Sequence, residues 1–210
     1  MDGEGLSSHA SNSSRETLVA KVVEATGASP LQCYQCGRCA AGCPQNVVGE
    51  MDLSPTRIMR LLQLEEAFAT QSQQATYTRQ ALGADTPWLC AGCMACTTRC
   101  PQGVDIAGTM DVLRQESLRR GMASQSKRAR DIQAMHRTFL ESALSTGRIH
   151  EVSLVMRYKL RTWNFFQDVI LGAIMFLKGK LSLKPGPAQD MTRVHNAIGQ
   201  LRQQKGSAEA

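Results

Sequence analysis

The chain has 210 residues, 42% hydrophobic and 20% charged, a balance that excludes wholesale disorder and allows one sizeable core or two small ones. A formal charge of +6 raises the question of a nucleic-acid partner, but aromatic residues make up only 5%, too few to interleave with a basic patch. The longest apolar stretch, Phe165 to Leu177, is interrupted by Gln167, Asp168 and Gly172 and falls short of the roughly 20 residues of a membrane span, which leaves at most peripheral contact with a membrane or a partner.

In chain order, Met1 to Ser29 reads as a mobile arm rich in Ser, Gly and Ala with one short helix around Arg15 to Ala25. Its first residues carry no apolar run of the kind a secretory leader needs, which points to a reducing, cytoplasmic setting rather than to a disulfide framework. A first cysteine group, Cys33 to Cys43, follows. Asp52 or Ser54 can cap the next helix, about Ser54 to Thr70, with Pro55 in its first turn and Ile58, Met59, Leu61, Leu62 and Phe68 on its apolar face. Another helix, Ala75 to Leu82, is expected to end on Gly83 as a left-handed cap.

The second cysteine group spans Cys90 to Cys100. Beyond it Asp105 can cap a helix to Arg120 that carries Ile106, Met110, Val112, Leu113 and Leu118. A longer amphipathic helix, about Ser124 to Ser145, places Ile132, Met135, Phe139, Leu140 and Leu144 on one side and stops at Gly147. From His150 to Leu183 apolar and basic positions mix in further short helices, and from Lys184 the sequence reads as a loosely held tail. No stretch alternates for the length of a strand. The domain reading is an arm over 1–29, a cysteine domain over 30–122, a helical extension for partner docking over 123–184 and a flexible tail over 185–210.

The two cysteine groups are one motif used twice. Cys33, Cys36, Cys39, Cys43 and Pro44 have the spacing C-x2-C-x2-C-x3-C-P, and Cys90, Cys93, Cys96, Cys100 and Pro101 repeat it, which accounts for all eight cysteines. A [4Fe–4S] cube needs one thiolate on each iron, and the tight triplet can wrap three corners. In two-cluster ferredoxins with this run the fourth cysteine serves the other cluster. Carried over, that rule assigns one cluster to Cys33, Cys36, Cys39 and Cys100 and the other to Cys90, Cys93, Cys96 and Cys43. Structural zinc uses separated pairs of ligands and does not match. Each oxidised cluster brings a charge of about −2, so two lower the total to about +2 and remove the argument for a polyanion.

Several neighbours attract attention. Gly37 and Gly92 lie beside ligands, where the backbone must come close. Arg38 and Arg99 either place positive charge near the sulfides or simply face solvent, and Trp88 with Leu89 can shield the second cluster. His9, His136, His150 and His195 share no metal-ligand spacing. Arg157, Lys159, Arg161, Lys178, Lys180 and Lys184 form a docking surface for an acidic partner or, more commonly for such a run, a solvated face.

With 46 residues between Cys43 and Cys90 and helical patterns throughout, the repeat resembles the alpha-helical ferredoxin module. On CYQCGRCAAGCP, WLCAGCMACTTRCPQGVDI, GRIHEVSLVMRYKLRT and MFLKGKL, over residues 30 to 184, the chain is similar to the family of heterodisulfide reductase C subunits. The resemblance implies an all-α fold with two [4Fe–4S]-binding loops and a C-terminal helical extension. It also implies a non-catalytic electron-transfer component of a hetero-oligomer, relaying between the flavin-containing A subunit and the catalytic B subunit of a heterodisulfide reductase-like complex, in disulfide reduction or sulfur oxidation. The alternative is the iron–sulfur subunit of a flavin dehydrogenase of the succinate, fumarate or glycerol-3-phosphate type; that type calls for further cysteines or Cys-Cys-Gly repeats, which this sequence lacks. No nucleic-acid role is expected.

Overall fold

The computed structural model describes residues 17–68, 71–147, 149, 151–163, 172, 174, 175, 177–179, 192, 193, 196, 197, 199 and 200. Among these, every regular element is helical. Residues 1–16 of the expected arm, most of the expected tail and of the apolar stretch from Phe165, and His9, His150, His195, Lys180 and Lys184 lie outside the described residues. The chain forms two compact units, one up to Ser126 and one from Lys127 onward.

In the first unit, α1 (Leu18–Thr26) starts at Thr17, whose hydroxyl accepts from Ala20 N at 3.2 Å, and ends at Gly27, where a φ of 68° turns the chain. A single 3-10 turn, Pro30–Gln32, leads into the first cysteine group, which contains the one-turn helix α2 (Arg38–Ala41) and is followed at once by another, α3 (Pro44–Val47). The next helix, α4 (Pro55–Ala67), is capped by Ser54 with Pro55 in its first turn, as the sequence predicts. It stops short of Thr70 because Phe68 is extended, with its ring stacked on Tyr77 at 5.3 Å.

The following helix, α5 (Gln71–Gly83), is longer than expected, and Gly83 is its last helical residue rather than a left-handed cap. The restart is fixed instead by Asp52. Its carboxylate accepts from Asp85 N at 2.9 Å and from the N–H and hydroxyl of Thr86 at 2.8 and 2.7 Å. Asp52 therefore caps not α4 but the short α6 (Thr86–Leu89), 34 residues further on. The second cysteine group holds α7 (Ala95–Thr98), and α8 (Ile106–Arg119) follows under its predicted cap, Asp105, which accepts from Gly108 N at 2.9 Å.

The core gathers Leu18 and Val19 from α1, Ile58, Met59, Leu61 and Leu62 from α4, Ala81 and Leu82 from α5, Val104, and Ile106, Met110 and Leu113 from α8. These positions recur at helical spacing and each helix buries the matching stripe. Cys39 is part of this core, and Cys33, Cys90, Cys96 and Cys100 are packed against it. Leu118, placed on the apolar face from sequence, is exposed.

Two buried carboxylates tie the helices together. Glu65 of α4 accepts from Leu18 N at 3.2 Å and the Thr78 hydroxyl at 3.0 Å, joining α1 and α5. Glu116 of α8 pairs with Lys21 of α1 at 3.0 Å and with Arg119 and Arg120 of its own helix end.

In the second unit, α9 (Lys127–Thr146) and α10 (Glu151–Thr162) pack on each other and are linked by Arg161, which bonds Glu141 Oε2 at 2.7 Å and the Thr138 hydroxyl at 2.9 Å. Arg161 is thus engaged in an ion pair rather than presented as a free docking cation. Met135, Phe139 and Leu140 of α9 and Val155, Met156 and Leu160 of α10 are exposed.

Candidate iron–sulfur centres

The two cysteine motifs fold alike. Each begins after a short helical turn, runs without regular structure through its first two cysteines, and holds its third cysteine in a one-turn helix, α2 or α7, before the fourth. At the second residue after the leading cysteine, Gln35 has φ 64° and Gly92 has φ 66°; at the fourth, Gly37 has φ 77° and Met94 has φ 60°. All four are left-handed, a conformation that glycine adopts freely and other residues adopt at a cost. Each motif meets the demand once with glycine, and at opposite positions. A Cβ on Gly37 or Gly92 would meet no protein atom within 4 Å, so it is the backbone angle, not crowding by the protein, that asks for glycine there.

The equivalent helices α2 and α7 pack on each other, bringing the motifs together. Arg99 of the second motif lies on Gly42 of the first, in the space a Cβ would take. All eight cysteines are free thiols. Cys43 lines one cavity with Cys90, Cys93 and Cys96, so the last cysteine of the first motif sits with the first three of the second. The other walls are mostly apolar, with Met51, Pro55, Met94, Ile106 and Met110. Reciprocally, Cys33 is close enough to Cys39, Cys100 and Cys36 for their charges to act on it.

The thiols sit in different electrostatic settings. Burial pushes Cys33, Cys90 and Cys96 up from the ordinary thiol value, and neighbouring cysteines add to the shift. Cys36, which is exposed, is lowered first by the N–H of Arg38, then by the Tyr34 hydroxyl and the Arg38 charge. Arg38 therefore does place positive charge at a sulfur. Cys93, the equivalent of Cys36, is exposed as well, whereas Cys39 is buried. Trp88 is buried just before Cys90. Arg114 belongs to no motif and carries no signal in the sequence, yet it bonds the carbonyls of Pro87 and Cys90 and pairs with Asp111 at 2.8 Å.

Among the described residues, no three His, Cys, Asp or Glu side chains converge tightly enough to hold a metal ion. A four-iron cube takes its thiolates at separate corners, and a four-sulfur lining around a common space fits it. No described helix is long and apolar enough to cross a membrane.

Comparison with known proteins agrees with this chemistry. Residues 32–104 match the 4Fe-4S dicluster domain. The chain is 33% identical over 101 residues to the C subunit of the ferredoxin:CoB-CoM heterodisulfide reductase of Methanosarcina mazei, covering 48% of this chain and 54% of that protein. It is 32% identical over 97 residues to the iron-sulfur C subunit of the CoB–CoM heterodisulfide reductase of Methanopyrus kandleri, covering 46% and 43%. It is 25% identical over 109 residues to the C subunit of the H2:CoB-CoM heterodisulfide,ferredoxin reductase of Methanothermobacter marburgensis, covering 52% of each. The chain spans about half the length of the curated relatives it matches. Helical throughout its described residues and carrying a match to a 4Fe-4S dicluster domain, the chain is similar to the C subunits of heterodisulfide reductases.

Proposed function

We propose that this chain relays electrons as the iron–sulfur subunit of a heterodisulfide reductase-like complex, with one [4Fe–4S] cluster on Cys33, Cys36, Cys39 and Cys100 and a second on Cys90, Cys93, Cys96 and Cys43. The observation that carries the reading is the exchange of the fourth cysteine: Cys43 shares a cavity with the first three thiols of the other motif, as the two-cluster rule requires. When bound, such clusters supply reversible one-electron transfer at potentials set by charge, hydrogen bonding and exposure.

The chain's residues divide the remaining work. The packed helices α2 and α7 hold the two sets of thiols side by side. Ile106 and Met110 are buried, line the cavity of the second set and keep water from its inner side, while Cys36 and Cys93 put one corner of each set at the surface, where an external donor or acceptor can approach. In the complex the flavin-containing A subunit and the catalytic B subunit would face those corners, in disulfide reduction or sulfur oxidation. The exposed apolar residues Phe139, Leu140, Val155, Met156 and Leu160 support a docking role for the second unit, since patches of this kind mark interaction surfaces.

The test is purification without oxygen, iron and sulfide counting, and electron paramagnetic resonance during reductive titration. The expected result is about eight irons and two S = 1/2 signals that interact, with flavin-containing and disulfide-reducing subunits co-purifying from the native source. Zinc, or no metal, would overturn the reading.

A further inference from the structure

The two sets of thiols differ in what faces their sulfurs, a difference that matters only if both sets hold clusters as proposed above. Around the first set, the Tyr34 hydroxyl faces Cys36, and two further side chains offer hydrogens. Thr56 Oγ1 stands 3.2 Å from Cys39 Sγ, and a metal-bound thiolate has no proton to give, so the hydroxyl is the donor. The second donor is fixed by a run of amides. Gln63 Nε2 faces two backbone carbonyls, Cys33 O at 2.6 Å and Pro30 O at 3.3 Å. Carbonyls only accept, so this amide cannot be turned over, and its Oε1 faces Gln35 and Arg60. Gln35 must then present its NH2 group to that oxygen, at 3.2 Å, and the same nitrogen reaches Cys33 Sγ at 3.5 Å.

The second set is treated differently. Cys43 Sγ has Met51 Sδ at 3.9 Å, an atom with no hydrogen to offer. Cys96 also has a hydroxyl beside it, that of Thr97, but this hydroxyl is shared with Asp105 Oδ1, to which it donates at 2.9 Å, and its oxygen accepts from Ala107 N at 3.2 Å. Cations do not reverse the contrast. Arg38 acts on Cys36 in the first set and Arg114 on Cys90 in the second, where Asp111, paired with Arg114, offsets it.

A hydrogen bond to thiolate sulfur disperses negative charge, and a reduced centre has one more charge to disperse, so donors favour the reduced form. We propose that Gln35 and Thr56 make the centre on Cys33, Cys36, Cys39 and Cys100 the easier of the two to reduce, so that an electron passed into this chain comes to rest there. With both clusters bound, one electron would pass from the second centre to the first, with no bond formed or broken. Gln35 and Thr56 act as positioning residues through the sulfurs, and Gln63 orients Gln35.

The test is a potentiometric titration of the anaerobic protein followed by electron paramagnetic resonance, on the unaltered chain and on Thr56→Val, Thr56→Ser and Gln35→Met, with iron and sulfide counted in each. Two separate midpoints are expected. Thr56→Val and Gln35→Met should each lower the more positive one by about tenfold in the reduction equilibrium, about 59 mV for a one-electron couple. Thr56→Ser, which keeps the hydroxyl, should restore it, and the lower midpoint should stay in place. Movement of the lower midpoint instead, or of neither in fully loaded variants, overturns the proposal. The two donors serve different sulfurs, so if one variant fails to load, the other decides. An unaltered chain well short of about eight irons would overturn the two-cluster reading itself, a separate failure.

Discussion

Gln35, Gly37, Gly92 and Met94 impose the same pair of left-handed bends on both motifs, and the cost falls on different residues in each. Giving Gly37 or Gly92 a Cβ should destabilise the protein through the backbone alone, because no protein atom stands in the way. Gly37→Ala and Gly92→Ala are each expected to cost about 1 kcal/mol, read as a fall of about 4–8 °C in the anaerobic melting temperature of a domain this small. Met94→Gly, which relieves the strained position, should not lower it. Equal tolerance of alanine and glycine at these sites would mean that the bends are not under strain. The leading cysteines and glycines were legible because their spacing is local. Thr56 and Gln63 were not, since their tie to Cys39 and Cys33 spans 17 and 30 residues and exists only once α4 has folded against the motif.

Helix identities were legible from apolar spacing and caps, as Ser54 and Asp105 illustrate, whereas junctions set by distant partners were not. Asp52 reads as a cap for the helix that follows it, yet its carboxylate is taken by Asp85 and Thr86. The buried carboxylates are of the same kind and give opposite pH dependences. Burial pushes Glu116 up, but bonds from Arg119, Arg120 and Lys21 outweigh it and bring it down to about 2. Its folded value lies below the unfolded one, so its stabilisation, on the order of 3 kcal/mol, is present above the ordinary carboxylate range and is lost as pH falls toward 2. Glu65 is raised, first by burial, against the bonds from Leu18 and Thr78. Its contribution runs the other way, and stability declines as pH rises from the unfolded value through the folded one. Thermal melts should therefore show Glu116→Gln lowering stability by a constant amount between pH 5.5 and 8, and Glu65→Gln removing a downward slope that sets in as pH rises above the ordinary carboxylate value. A pH-dependent deficit in the first variant would contradict the assignment.

On the scale of the whole molecule, the boundary at Ser126 and Lys127 separates the unit that carries every cysteine from the helical pair α9 and α10. A chain ending at Ser126 should keep about eight irons and both midpoints within error, while losing affinity for partner subunits; iron analysis and pull-down with the native partners measure the two separately. Loss of iron on truncation would show that the second unit supports the first. The helical extension was legible as amphipathic sequence, but the exposure of Met135, Phe139 and Leu140 was not, because periodicity marks an apolar face without saying what covers it. The sharing of Cys43 with Cys90, Cys93 and Cys96 also bears on biosynthesis. Under the ligand assignment proposed here, neither site has its full set of donors until the ribosome has released residues as far as Cys96 for one and Cys100 for the other. Cofactor delivery must then wait for the nearly finished domain, and a nascent chain stalled between the motifs would offer the iron–sulfur assembly machinery only incomplete sites.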